Sequence, residues 1–144
     1  MTPVHPCPAT PDDAAGVAAL LAELGYPATP EEARQRLARI HTAADYHTVV
    51  AEADGVVLGF VGLQRGWGYE HDRPFVRVLA LVVHAGARGR GIGARLMSAA
   101  DAWARAGNAH ALHLTTSLHR EEAHRFYEGL GFSRNGWRYA RPLG

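Results

Sequence analysis

The apolar positions along the chain alternate between a period of about two and a period of about 3.6 residues, which predicts a mixed α/β domain. Asp54-Gly55 is a hairpin turn signal between two alternating segments, so both segments are expected to be paired strands. A later segment is almost continuously apolar apart from Arg77, which predicts a strand buried on both faces. The strands predicted in this way cover residues 4–9, 47–53, 56–65 and 75–83.

The first predicted strand contains two prolines. Pro6 and Pro8 fall on the same side of the pleat. Proline has no N–H to donate, so a strand that carries it is expected at the edge of a sheet. We therefore predict that residues 4–9 form an edge strand.

Two helices are predicted between the first and second strands, and each begins with a Thr-Pro pair followed by acidic residues. Thr10 caps the first helix, which ends at Gly25. Thr29 caps the second, which runs to about Ala43, and Glu32 completes a capping box with Thr29.

The second half of the chain predicts a crossover helix from Ile92 to Gly107 and a strand over 109–115. A helix over 120–130 and two short strands, at 132–133 and 137–142, complete the chain. The expected architecture is a central mixed, mostly antiparallel sheet of roughly six to seven strands, flanked by about four helices.

Composition narrows the class of protein. The chain has 144 residues, 47% of them apolar and 20% charged, which is typical of one globular domain, expected to span residues 1–144. A net charge of +1 argues against a nucleic-acid partner.

Cys7 is the sole cysteine, which excludes an intrachain disulfide and a cysteine-based zinc site. The N-terminus does not resemble a signal peptide, and no apolar run approaches the ~20 residues of a membrane span, so we expect a soluble, cytoplasmic protein.

The strongest chemical signal is the turn Arg88-Gly89-Arg90-Gly91-Ile92-Gly93. It follows a predicted strand and opens a predicted helix. Glycines allow a ligand to approach the backbone closely, and the free N–H groups of a first helical turn bind phosphate. The turn therefore predicts a phosphate site, and its two arginines add positive charge.

Neighbouring residues distinguish three kinds of phosphate ligand. A P-loop requires Gly-Lys-Ser/Thr, which this turn lacks. Gly89-x-Gly91-x-x-Ala94 matches a loose dinucleotide fingerprint, but the acid expected about 20 residues later is absent. A coenzyme A pyrophosphate is the remaining interpretation, and a nucleotide-binding domain stays as an alternative.

Two segments resemble motifs of the GNAT superfamily of N-acetyltransferases. Residues 81–96, LVVHAGARGRGIGARL, resemble motif A, whose pattern is Arg/Gln-x-x-Gly-x-Gly/Ala after a strand. Residues 120–132, REEAHRFYEGLGF, resemble motif B. The predicted order of elements also matches the GNAT fold from end to end. The resemblance implies an enzyme that moves an acetyl group from acetyl-CoA to an amine acceptor by direct attack in a ternary complex.

The resemblance also implies roles for residues of this chain. Tyr127 matches the family tyrosine that faces the coenzyme sulfur, where a phenol assists the leaving thiolate. Arg120 stands where many members carry an asparagine that contacts the coenzyme, so this residue either binds a phosphate or faces solvent. The coenzyme is expected between the fourth and fifth strands, with the N–H of Val83 on the oxyanion. The implied coenzyme-binding residues are Leu81, Val82, Val83, Arg88, Gly89, Arg90, Gly91, Ile92, Gly93 and Arg120.

The sequence offers several candidates for the base that deprotonates the acceptor amine. Glu70 is the candidate catalytic residue, and it lies beside His71 and Asp72 in an aromatic-rich loop that suits a cationic acceptor. His84, at the end of the fourth predicted strand, is another candidate, and a water molecule is a third.

The remaining expectations concern metals, partners and alternatives. No metal site is predicted, because His110 and His113 are three positions apart on a predicted strand and would face opposite sides. The acceptor is either a small-molecule amine or a peptide amine, and the resemblance adds a homodimer as an expectation. The alternative function is a catalytically idle acyl-CoA-binding regulatory module.

Overall fold

The computed structural model describes residues 4–116 and 120–144, which fall into two compact units. One contains the described residues up to His113 and the other those from Leu114 onward. The strands are β1 (His5–Pro8), β2 (Tyr46–Ala53), β3 (Val56–Gly66), β4 (Phe75–Val83) and β5 (Ala111–Leu114). The helices are α1 (Ala14–Leu24), α2 (Pro30–Thr42), α3 (Ile92–Ala106) and α4 (Glu121–Gly129), with short 3₁₀ turns at Pro11–Asp13 and Ala85–Ala87.

The described strands form one mixed sheet in the order β1-β2-β3-β4-β5. The first four strands pair antiparallel. Strand β5 follows the crossover helix α3, and the N–H of His110 donates to the carbonyl of Pro74 over 2.8 Å. Because these residues immediately precede β5 and β4, the two strands start at the same end and run parallel.

The sheet lies between helices on both faces. Helices α1 and α2 pack against the face that carries Val50, Phe60 and Val82. Helix α3 lies on the other face, where Gly59 approaches the side chains of Ile92 and Leu96. No helix in the described ranges is long and apolar enough to cross a bilayer.

The edge position of β1 is confirmed, and the geometry explains its prolines. The N–H of Ala9 donates to the carbonyl of Thr48 on β2 over 2.8 Å. Because backbone groups alternate along a strand, those of every second residue counted from Ala9 face β2. Pro6 and Pro8 fall between these residues, so their nitrogen atoms point outward, away from the sheet.

The predicted start of α2 and the predicted end of α1 are also confirmed, whereas Thr10 caps the 3₁₀ turn Pro11–Asp13 and α1 itself begins at Ala14 without a side-chain cap. Thr29 accepts a hydrogen bond from the N–H of Glu32 over 3.1 Å, and the Glu32 carboxylate accepts one from the N–H of Thr29 over 2.9 Å. Gly25 ends α1 with a φ of +101°.

Two expectations about strands were wrong. The sheet has five strands within the described residues instead of six to seven, because residues 132–133 and 137–142 are not strands. Trp137 and Tyr139 lie in the second of these segments and are 72% and 92% exposed, so their large side chains are not packed against a core. Strand β4 is not buried on both faces either, since Arg77 is exposed and Leu79 is 48% exposed.

Candidate active site

The glycine-rich turn lies between β4 and α3, as predicted. Gly89 and Gly91 adopt left-handed backbone conformations, with φ of +84° and +76°. A Cβ at either position would have no described atom within 4 Å. These glycines are therefore required by the backbone conformation and not by crowding, and the space beside them is open to a ligand.

The N-terminus of α3 presents backbone donors toward that space. Gly91 directly precedes the helix and has no side chain that could cap its first N–H groups. Within residues 4–116 and 120–144, no backbone carbonyl accepts a hydrogen bond from the N–H of Gly89 or Gly91. Arg88 and Arg90 are exposed beside them. With the positive end of the helix dipole, these groups form a site suited to a phosphate anion.

The turn is anchored to α1 by an acidic side chain that the sequence did not reveal. One carboxylate oxygen of Glu23 lies 2.6 Å from Nδ1 of His84, and the other accepts a hydrogen bond from the N–H of Ala85 over 2.8 Å. The hydrogen bond with His84, followed by that from Ala85, lowers the pKa of Glu23 below its ordinary value. Glu23 therefore fixes the start of the turn, and Nδ1 of His84 is engaged by this contact.

The second half of β4 has an open edge beside the turn. The N–H of His84 donates to the carbonyl of Leu58 on β3 over 2.7 Å. Because backbone groups alternate along a strand, those of Val82 also face β3, whereas those of Leu81 and Val83 point away from it. The Arg88 guanidinium donates to the outward carbonyl of Val83 over 3.4 Å. The backbone groups of Val82 face β3 and its side chain is buried. Val82 therefore presents no group at the open edge.

Strand β5 is too short to cover that edge. It has four residues against nine in β4, and it starts level with the first residue of β4. In the described part of the chain, no strand lies beside Leu81 or Val83 on the side away from β3. Leu79 is an extra residue in β4, since Leu63 pairs with Val78 and Gly62 with Ala80. This bulge was not visible in the apolar run.

The predicted catalytic loop lies at the opposite end of β4. Glu70, His71 and Asp72 are exposed and precede the first residue of β4, whereas the glycine-rich turn follows its last residue. A nine-residue strand is about 26 Å long at about 3.3 Å per residue. The structure therefore does not bring Glu70 to the turn.

The expectation that His110 and His113 lie on one strand was wrong. His110 precedes β5, so strand alternation does not govern its side chain. The rings of His110 and His113 lie 6.3 Å apart, and His71 stacks on His110 at 3.8 Å. No group of three or more potential metal ligands was found among the described residues.

The second unit contains Tyr127 and Arg120. Tyr127 lies on α4, with its ring 5.3 Å from that of Phe126 and 5.9 Å from that of Phe132. Burial raises the pKa of Tyr127 above its ordinary value, and the positive charge of Arg120 only partly opposes this effect. Tyr127 is therefore a neutral phenol at physiological pH. Arg120 is exposed at the residue before α4.

Known proteins are similar to this chain in sequence. The family model described as "Acetyltransferase (GNAT) family" matches residues 16–132. The aminoalkylphosphonate N-acetyltransferase of Salmonella typhimurium is 30% identical over 136 residues, which are 94% of this chain and 88% of that protein.

Solved structures are similar along nearly the whole chain. A GNAT family acetyltransferase from Staphylococcus aureus has a TM-score of 0.84 and 23% identity, covering 99% of this chain and 100% of that one. The aminoglycoside N-acetyltransferase AAC(6')-Iy in complex with CoA has a TM-score of 0.87 and 18% identity, covering 99% and 96%. At these identities, the structural similarity establishes the fold.

Proposed function

Because the chain belongs to the GNAT family of acetyltransferases, we propose that residues 1–144 form one catalytic domain that transfers the acetyl group of acetyl-CoA to an amine. The observation that carries this proposal is the glycine-rich turn at the N-terminus of α3, next to the open edge of β4. We also propose a cytoplasmic location, where acetyl-CoA is available.

The turn and the open edge suit two different parts of the coenzyme. The N–H groups of residues 88–93 would bind the pyrophosphate, with Arg88 and Arg90 adding charge. The backbone groups of Leu81 and Val83 would bind the pantetheine arm as an added strand does. Ile92 contributes only its N–H, because its side chain is 2% exposed. Val82 is left out of the proposed binding set, since its backbone faces β3.

The chemistry would occur further back along β4. The pantetheine arm separates the pyrophosphate from the thioester, so the thioester is expected closer to the bulge at Leu79 than to the turn. The N–H of Leu81 is therefore a better proposed donor to the oxyanion than that of Val83, which adjoins the turn. Tyr127 would donate a hydrogen bond or a proton to the departing thiolate, which its neutral phenol suits.

The base for the acceptor amine is proposed to come from the loop before β4. Glu70 is exposed at the end of the strand from which an acceptor would approach the thioester. It would take the proton directly or through water. His84 is not retained for this role, because it adjoins the turn and its Nδ1 is engaged by Glu23.

The acceptor is proposed to be a small-molecule amine. The 30% identity with an aminoalkylphosphonate N-acetyltransferase extends along 94% of this chain, which supports an acceptor of similar size and chemistry.

The first test of this function is thiol release from acetyl-CoA in the presence of a panel of small amines and peptides. We expect Tyr127→Phe to lower kcat at least tenfold while the Kd for acetyl-CoA stays unchanged, since the variant lacks only the hydroxyl. Tyr139→Phe is the matched control, because Tyr139 is 92% exposed. Equal kcat values for the two variants would remove Tyr127 from the mechanism.

The second test addresses the turn. Gly91→Ala should raise the Kd for acetyl-CoA at least tenfold by displacing the N–H groups that bind the pyrophosphate. Gly55→Ala is the matched control, because Gly55 has a φ of +74° and equally open space in the β2–β3 hairpin. Both variants should lose similar stability, and only Gly91→Ala should lose affinity. An unchanged Kd in Gly91→Ala would refute the assigned role of the turn.

A further inference from the structure

A continuous row of cationic and aromatic side chains crosses the start of β4 and β5. His71 stacks on His110 with ring centroids 3.8 Å apart, and His110 meets His113 edge-on at 6.3 Å. His113 stacks on Phe75 at 5.0 Å, and the Arg77 guanidinium lies 5.6 Å from the centre of the Phe75 ring. These five residues, here called the histidine–arginine row, come from the loop before β4, from β4 itself, from β5 and from the residue just before β5.

The positive charge of the row comes from Arg77, which is available to a ligand. Arg77 is exposed, and in the described ranges it forms no ion pair with a carboxylate. Burial lowers the pKa of His110, and the charges of His71, His113 and Arg73 lower it further, while Glu70 alone opposes them. His110 is therefore a neutral imidazole at physiological pH, which can still donate a hydrogen bond to an anion held by Arg77.

The position of the row relates it to the proposed reaction. Arg77 lies four residues before Leu81 on β4, about 13 Å along the strand at about 3.3 Å per residue. The coenzyme would extend from the turn toward this end of β4, so an acceptor that reaches the thioester would leave its far end near the row.

We propose that the histidine–arginine row binds an anionic group on the acceptor, so that the preferred acceptors are amines that also carry a phosphonate, phosphate or carboxylate. The inference rests on the proposed acetyl transfer and adds an acceptor subsite to it. The planar guanidinium of Arg77 matches the geometry of an oxyanion, and the imidazole N–H groups supply further donors. Energy from this remote contact positions the amine for attack and raises kcat/KM.

The kinetic test compares 2-aminoethylphosphonate with 2-aminoethanol, a similar amine without the anion. Wild-type kcat/KM should be at least tenfold higher for the phosphonate, which corresponds to one charge-assisted contact. Arg77→Gln should abolish this preference while it leaves acetylation of 2-aminoethanol and the KM for acetyl-CoA unchanged, and Arg77→Lys should restore part of the preference. Arg39→Gln, which alters an exposed arginine on α2, is the matched control and should retain the full preference.

A binding test does not depend on turnover. Methylphosphonate, titrated into the protein and followed by its ³¹P resonance, should bind to the wild type and to Arg39→Gln but at least tenfold more weakly to Arg77→Gln. It should also inhibit competitively against the phosphonate acceptor and not against acetyl-CoA.

The outcomes separate this inference from the proposed function. Absence of thiol release with every amine would contradict the acetyl transfer, and the ³¹P titration would still decide whether the row binds the anion. Equal wild-type kcat/KM for the two amines would overturn the row as an anion subsite and leave the acetyl transfer intact. Equal affinity of Arg77→Gln and wild type for methylphosphonate would overturn it as well.

Discussion

The close approach of β3 to its neighbours at Gly59 gives a quantitative test of the packing that supports the glycine-rich turn. A Cβ at this position would lie 2.9 Å from the carbonyl oxygen of Val82, 3.2 Å from Cδ1 of Leu96 and 3.4 Å from Cγ2 of Ile92. The nearest of these atoms belongs to the backbone of β4, which cannot move without disturbing the sheet. Gly59→Ala should therefore be destabilising even though alanine is normally favoured over glycine in a strand.

The expected cost can be estimated from this geometry. Overpacking of a well-packed interior by one methyl group costs about 1–3 kcal/mol. For a chain of this size the melting temperature shifts by about 3 °C per kcal/mol, so Gly59→Ala should melt about 3–9 °C below the wild type in calorimetry. Because Ile92 begins α3 and Val82 lies between the proposed coenzyme contacts, the Kd for acetyl-CoA should rise as well.

Gly62→Ala is the matched control on the same strand. A Cβ on Gly62 would have no described atom within 4 Å, and its φ is not in the left-handed region. The same substitution should then be neutral or stabilising by about 0.4–1 kcal/mol, through a less flexible unfolded chain. Equal melting temperatures for the two variants would refute the argument that the space beside Gly59 is filled.

Three further outcomes are expected elsewhere in the chain. The pKa of Glu23 is lowered in the folded state, so its contribution to the free energy of unfolding is complete above its ordinary value of 4.5 and is lost as the pH falls through the folded-state value. The stability gap between wild type and Glu23→Gln in urea titrations should therefore shrink on acidification, and a gap that widens would be inconsistent with this contact. Thr29→Ala should cost about 1 kcal/mol through loss of the α2 cap, whereas Thr115→Ala, at an exposed position, should cost almost nothing in the same titrations. Burial and two nearby carboxylates raise the pKa of Cys7, so a disulfide reagent should modify the folded protein at least tenfold more slowly than the urea-unfolded chain, and equal rates would disprove this.

Local signals account for the parts of the fold that were predicted correctly. The capping box of Thr29, the left-handed Gly25 and the outward prolines of β1 each involve residues within a few positions of one another. The bulge at Leu79 is different, because it is defined by the register with β3 and an apolar run does not record which residue lacks a partner. Alternation alone also could not show that Trp137 and Tyr139 lie on an exposed segment without a strand.

The candidate site divides in the same way. The glycine-rich turn is a contiguous motif, and its predicted position between a strand and a helix is confirmed. The contact between Glu23 and His84 joins residues 61 positions apart, so no spacing rule could have indicated it. The histidine–arginine row was missed because the last predicted strand was given too early a start. Strand β5 begins at Ala111, so His110 precedes it and does not follow strand alternation.

The prolines of β1 have a consequence for how separate molecules meet. A strand from a neighbouring molecule that approached this side would find outward carbonyl groups at positions 6 and 8 but no hydrogen to offer its own carbonyls. Growth of the sheet from one molecule into the next is therefore blocked along this border. The protein should therefore not aggregate by pairing of β1 with a strand of another molecule, even at high concentration.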